Sequence, residues 1–168
     1  MLEFATWLQS TPLSIAIQSS TWLTPLLQAV HIMTIGVVFV SMLMIALRVL
    51  GLVHAEDSFD ATWQRFAPWM WRGLLVMLLT GTVLVIGEPE RQAQALSFWL
   101  KMGLIIVALL CVLSLRRTLT GNTVAVFPAA PRLAATGIVL LWVAIIFMGR
   151  AIAYDVEIWG PLSLAEHP

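Results

Sequence analysis

Apolar positions in this chain gather into four long runs, each bounded by a short polar stretch, and the runs have the length and polarity of membrane-spanning helices. The first, PLLQAVHIMTIGVVFVSMLMIALRVLG from Pro25 to Gly51, carries no charge from Ile32 to Leu47 and is closed by Arg48. The second stops at GEPE, where Gly87 and Pro89 break a helix. The third holds Lys101 near its start and ends at Arg116 and Arg117, and the fourth has Arg150 near its end. The pattern predicts spanning helices at about 24–50, 66–87, 98–116 and 133–154. Before them, in residues 2–20, two apolar segments too short to span carry Trp7 and precede Trp22, as interfacial helices do. After them comes a short tail, 155–168, that Trp159 returns to the interface. The expected fold is all-α, an integral membrane four-helix bundle forming a single membrane domain over 1–168.

Composition agrees with that pattern. Of 168 residues, 60% are hydrophobic and 11% charged, and the mean hydropathy is +0.94, far from the averages of soluble proteins. Nine basic and nine acidic residues cancel, so neither a nucleic-acid-binding face nor a solvating acidic tail is expected. The single Cys111 excludes an intramolecular disulfide and any paired-cysteine haem attachment. The N-terminus lacks a basic leader region and does not read as a cleaved signal peptide. Arg48, Arg65, Arg72, Arg116, Arg117 and Arg132 flank the connectors after the first and third helices. Positive charge stays in the cytoplasm, so both termini are expected on the non-cytoplasmic side.

The candidate chemistry lies in polar residues inside the spans. By helical rise, His31 sits ~9 Å below the outer surface, Lys101 ~4.5 Å and Arg150 ~6 Å, so all three share one leaflet. Gln28, His31 and Thr34 recur at intervals of three and make a polar stripe on the first helix. Gly73, Met77, Thr80, Leu84 and Gly87 give the second helix a face suited to close packing or to leaving room for a ligand. An ionisable residue within a span is costly to desolvate and marks a candidate site. Three roles fit His31. It ligates haem iron, with Lys101 and Arg150 pairing the propionates; it hydrogen-bonds a quinone or carries a proton; or it bonds only Gln28, Thr34 or a neighbouring helix. Lys101 and Arg150 also suit snorkelling to the interface, and Trp142 reads as packing. No second histidine occurs in a span, and His54 belongs to the opposite membrane face. The sixth position of a haem is then open, filled by Met or Lys, filled by His167 folding back, or completed by a symmetric homodimer.

The histidine of LLQAVHIMTIG, the arginine of LRVLG and the lysine of SFWLKMG (His31, Arg48 and Lys101) resemble the layout of HemJ-type protoporphyrinogen oxidases and, more loosely, of CopD-like membrane proteins. The combination of WLTPLLQAVHI, LRVLG and FWLKMGL looks closest to an uncharacterised family of small bacterial four-helix membrane proteins. The resemblance implies a haem-b-associated redox protein of the inner membrane, with His31 as the axial ligand. The last helix opens on APRLAATG where HemJ-type proteins carry an Asn-Glu-x-Pro element, so haem binding carries over further than porphyrinogen oxidation. The expectation is a haem-b-binding electron-transfer protein that works beside other membrane subunits. The alternatives are a non-catalytic accessory subunit and an oxidase acting on a porphyrinogen or quinol.

Overall fold

The computed structural model describes residues 2–53, 55–122, 124, 126–160 and 163. His54 and His167 lie outside them. All regular elements among the described residues are helical: α1 (Leu2–Gln9), α2 (Pro12–Ser19), α3 (Leu23–Leu50), α4 (Phe59–Gly87), α5 (Pro89–Gln94), α6 (Leu96–Leu119), α7 (Ala129–Ala151) and α8 (Asp155–Trp159), with a 3-10 turn at Ile152–Tyr154. Four helical stretches are long and apolar enough to cross a membrane, namely α3, α4, α6, and α7 continued to Trp159. The protein is a multi-pass helical membrane protein.

Local sequence explains where these helices start and stop. α3 ends at LRVLG because Gly51 adopts φ +75°, which lets its N–H reach the Arg48 carbonyl at 3.1 Å and the Leu52 N–H reach that of Leu47 at 3.0 Å. α4 begins about two turns before the apolar run at 66. Ser58 caps it by accepting from the Ala61 N–H at 3.1 Å. Hydropathy locates the edge of the hydrocarbon, whereas the cap locates the first helical bond. With 29 residues, α4 is ~44 Å long and overreaches a ~30 Å hydrocarbon layer. Pro68, inside α4, leaves the helix continuous. α2 starts at Pro12 behind Thr11, whose hydroxyl accepts from the Ser14 N–H at 3.4 Å.

α3 packs on α4 and α7, and α7 packs on α6. α4 and α6 complete the ring. They join at one end, where the Arg116 guanidinium lies 5.0 Å from the centre of the Trp63 ring and Asp60 accepts from the Gly121 N–H at 2.8 Å. Their backbones otherwise approach each other little among the described residues, although Met70 and Met77 of α4 and Ala108 and Val112 of α6 belong to one buried cluster. Lipid tails are as apolar as leucine, so helix association depends on close fit. Gly73 supplies it for α3 and α4: a Cβ there would stand 2.6 Å from Val38 Cγ2. At Gly87 a Cβ would stand 2.9 Å from Ile17 Cγ2, so α2 is pressed against the end of α4. Most of the small-residue face of α4 is therefore taken up by packing.

The core stripe runs through Val38, Met42 and Ile45 of α3, Met70 and Met77 of α4, Ala108 and Val112 of α6, and Ile138, Trp142 and Ile145 of α7. The bundle ends differ in charge. Arg48, Arg65, Arg116, Arg117 and Arg132 lie at the connector end with Glu56, Asp57 and Asp60, while Glu3, Glu88, Glu90, Asp155 and Glu157 lie with Arg91, Lys101 and Arg150 at the end bearing α1 and α2; Arg72, expected beside the first connector, sits at the middle of α4.

Candidate functional site

Two buried polar centres hold the bundle, one at each end; the sequence marks Arg48 only as the close of the first helix and a point of resemblance, and does not single out Asp155. At the connector end Arg48 is wholly buried, at 0% exposure. It donates Nε–H to the Asp57 carbonyl at 2.7 Å and Nη2–H to the Val124 carbonyl at 3.0 Å. Its guanidinium lies 5.2 Å from the centre of the Phe127 ring. The arginine expected to close the first helix at the membrane surface instead ties together both connectors at that end. Its planar fork and weak hydration suit a buried hub on neutral carbonyls.

At the other end Asp155, 6% exposed, joins the end of α7 to the start of α6. Its carboxylate accepts from the Ser97 N–H at 2.8 Å, the Leu96 N–H at 3.0 Å and the Ser163 hydroxyl at 2.7 Å. The Trp159 indole N–H donates to the Ser97 hydroxyl at 2.8 Å. Ala95, the residue at the N-cap position of α6, has no side-chain acceptor, so Asp155 caps that helix from a distant part of the chain. The tail thus turns back onto α6. Asp155 also forms part of the wall of an open cavity of about 630 Å³, beside Gln9, Gln18, Glu88, Arg91 and Glu157.

Within the span below that cavity lies the candidate site. His31 is half-buried on α3, and its Nδ1 is 2.8 Å from Thr80 Oγ1 of α4. The same Oγ1 is 2.8 Å from the Val76 carbonyl oxygen. A hydroxyl has one proton and a carbonyl can only accept. Both contacts are hydrogen bonds only if Nδ1–H donates to Oγ1 and Oγ1–H donates to Val76. That assignment, made from the hydrogen-bond network, leaves Nε2 with its lone pair. Gly81 makes room for the ring, since a Cβ there would be 3.3 Å from His31 Cε1.

Lys101 of α6 stands close enough to His31 to interact with it electrostatically. Its Nζ lies against α7, 3.4 Å from where a Cβ on Gly149 would be. The structure thus brings His31 and Lys101 together, each beside a glycine of the neighbouring helix. It does not add Arg150, which is exposed at the last turn of α7 with its guanidinium 5.7 Å from the centre of the Tyr154 ring. Nor does it add Gln28, which is exposed. Thr34 gives its hydroxyl proton to the Val30 carbonyl at 2.7 Å, and Ser41 likewise to Val37. The polar stripe of α3 is thereby largely satisfied within its own helix. Thr80, on the facing helix, is the partner of His31 that the sequence did not single out. A threonine at helical spacing within the small-residue face of α4 was its only signal.

Together these observations define a polytopic helical membrane protein with an oriented, part-buried imidazole and a nearby amine inside one end of its bundle. The chain belongs to the family described as "Family of unknown function (DUF6644)", which matches residues 14–155. No curated protein and no solved structure matches it.

Proposed function

We propose that this protein is a haem-b-binding redox protein of the bacterial inner membrane, with His31 as the axial ligand and both termini outside the cytoplasm. One observation carries the reading: the bond from Nδ1–H to Thr80 leaves Nε2 free to ligate, within a membrane span, on a ring whose tautomer and direction are set. Metal-ligating histidines usually donate the other ring N–H in this way, which raises ligand basicity. The donor set fits an iron porphyrin. Nε2 suits the iron, the Lys101 ammonium suits an acidic edge group, and Gly81 and Gly149 keep Cβ atoms away from both.

When bound, haem would supply a one-electron couple. The chain's own residues bind, orient and shield it: Thr80 holds the imidazole, Lys101 offsets negative charge, and the apolar stripe below excludes water. The HemJ-like placing of His31, Arg48 and Lys101 supports the same reading, and a porphyrinogen or quinol is then the class of molecule that would give up electrons there. Work beside other membrane subunits or as a homodimer is consistent with so small a bundle. A second reading has the same contact in its favour. A 2.8 Å bond between His31 and Thr80 also fastens α3 to α4, as polar residues do between membrane helices, and would suit a non-catalytic accessory subunit.

The two are separated by a reduced-minus-oxidised spectrum and a pyridine haemochrome assay on protein expressed with ample haem. A b-type signal in the parent protein that disappears in His31→Ala supports the haem reading. No signal in the parent protein, or one that His31→Ala leaves intact, overturns it.

A further inference from the structure

The end of α6 carries two cations whose charge the fold leaves unbalanced. Arg116 and Arg117 are exposed in its last turn. Among the described residues neither is paired with a carboxylate, whereas Arg65, at the same end of the bundle, pairs with Asp57 at 3.6 Å. Asp60, which stands at this junction, is turned to the Gly121 N–H at 2.8 Å. With Leu113 and Thr120 the two arginines line an open cavity of about 430 Å³ on one face of α6. The Thr120 hydroxyl proton goes to the Arg116 carbonyl at 2.7 Å, so the guanidinia are the side-chain donors left to that space.

A contact to α4 sets the level of these charges. The Arg116 guanidinium lies 5.0 Å from the centre of the Trp63 ring, and Trp63 is three residues, ~4.5 Å, outside the apolar run of α4 that begins at 66. The ring thus holds one guanidinium at the level where the phosphates of that leaflet lie. Below it the same face turns apolar. Leu113 is one turn under Arg117, and Leu110 and Ile106 continue its stripe at helical spacing, 62% and 58% exposed. The face offers two positive charges at the membrane surface and, beneath them, ~10 Å of aliphatic contact. A soluble anion would use only the top of it, whereas an amphiphile with an anionic head uses all of it.

We infer that this face of α6 binds an anionic phospholipid of the leaflet at the connector end, with the headgroup at the Arg116 and Arg117 guanidinia and an acyl chain along Leu113, Leu110 and Ile106. No part of this site depends on a bound haem. Arginine suits such a headgroup because its planar fork takes phosphate oxygens in pairs. Basic side chains at a membrane surface favour anionic lipid by about 5-fold per cation.

The experiment titrates lipid into the full-length protein in dodecyl maltoside micelles and follows the midpoint of thermal unfolding, which a ligand of the folded state raises. Phosphatidylglycerol should raise it at a mole fraction about 5–30-fold below that needed of phosphatidylcholine. That selectivity should disappear when Arg116→Gln and Arg117→Gln are combined, and persist in Arg65→Gln, an arginine of the same end outside the cavity. Should the double variant fail to fold, Arg117→Gln alone, which leaves the Arg116–Trp63 contact in place, must reduce the selectivity several-fold. No selectivity in the parent protein overturns the inference, as does selectivity that survives the loss of Arg116 and Arg117. Selectivity lost equally in Arg65→Gln marks diffuse surface charge and overturns it too. Inorganic phosphate that raises the midpoint as far as phosphatidylglycerol does, through the same two arginines, overturns it in favour of a soluble anion.

Discussion

Replacing Asp155 with alanine should destabilise the bundle more than an exposed acidic residue near a helix end would suggest. The carboxylate holds the Leu96 and Ser97 N–H groups and the Ser163 hydroxyl, and α6 has no local side chain to take over. Loss of an N-cap costs about 0.5–2 kcal/mol. Hydrogen bonds to a charged group contribute about 1.5–3 kcal/mol each, though not additively. Ser97 is fully buried, so its N–H would stay unpaired, whereas water from the adjoining cavity can partly rescue Leu96. The expected loss is about 2–4 kcal/mol for Asp155→Ala and roughly half that for Asp155→Asn, which keeps one acceptor oxygen. Denaturation in dodecyl maltoside micelles, followed by circular dichroism, measures it, and amide exchange at Leu96 and Ser97 localises it. A loss under ~0.5 kcal/mol in Asp155→Ala, the level of an ordinary surface substitution, would refute the reasoning. So would an asparagine variant less stable than the alanine one.

Three further outcomes follow from other contacts. Arg48→Ala leaves the Asp57 and Val124 carbonyls without this donor and should cost about 2–4 kcal/mol, read as a fall in midpoint on thermal unfolding in detergent; Arg48→Lys should recover only part of it, since one ammonium cannot reproduce the fork. Gly73→Ala drives a Cβ against Val38 Cγ2 and should cost about 1–3 kcal/mol. Adding Val38→Ala should restore much of that stability in a double-mutant cycle, and strict additivity of the two losses would show that the helices do not meet there. Thr80→Val preserves shape but removes the acceptor for His31 Nδ1–H; on the haem reading it should weaken haem retention about 10–100-fold, measured by haem transfer to an apo-globin acceptor.

How far the sequence could be read depended on whether a contact was local. The four spans were legible because apolar length is a one-dimensional property, and the end of α3 was legible in LRVLG because Gly51 satisfies a backbone geometry within that segment. Hydropathy did not announce the first helical residue of α4, because a capping serine and a hydrophobic edge need not coincide. Long-range partners were not legible. Nothing near Asp155 in sequence announces the N-terminus of α6, 58 residues away, and nothing near Arg48 announces Val124, 76 residues away. His31 and Lys101 could be placed at a common depth by counting residues, but the identity of the facing side chain, Thr80, depends on the rotation of α3 against α4. Arg150 shows the limit of depth alone. It occupies the right end of the bundle, yet its guanidinium turns to Tyr154.

The contrast between the two ends is what makes the His31 end a candidate for binding rather than a second fastening point. At the connector end a full guanidinium is buried, and every contact described for it is made by the protein itself, to carbonyls and a ring. A buried charge satisfied in this way fixes a fold, and the polar capacity left over beside it at that end is a hydroxyl, that of Thr62, buried near the start of α4 without a hydrogen-bond partner, and not a metal-ligating nitrogen. At the other end Asp155 performs that fastening, with its three described acceptor contacts made to protein donors. Deeper in the same end the protein leaves polar capacity over: a lone pair on Nε2 of His31 and an indole N–H on Trp142. In hydrocarbon such capacity is expensive to maintain, and a packed apolar pair at the same positions would be the cheaper way to hold helices together. The Asp155 clamp lies one turn before Lys101 along α6 and closes the ends of α6 and α7 on which Lys101 and Gly149 sit. It thereby ties together the two helix ends between which the Lys101 amine lies. On the haem reading, loss of the clamp should weaken haem retention by moving Lys101 even where the bundle stays folded. Restoring stability elsewhere, through a substitution at the connector end, should leave that weakening in place; full recovery of haem retention would show that Asp155 acts through global stability alone.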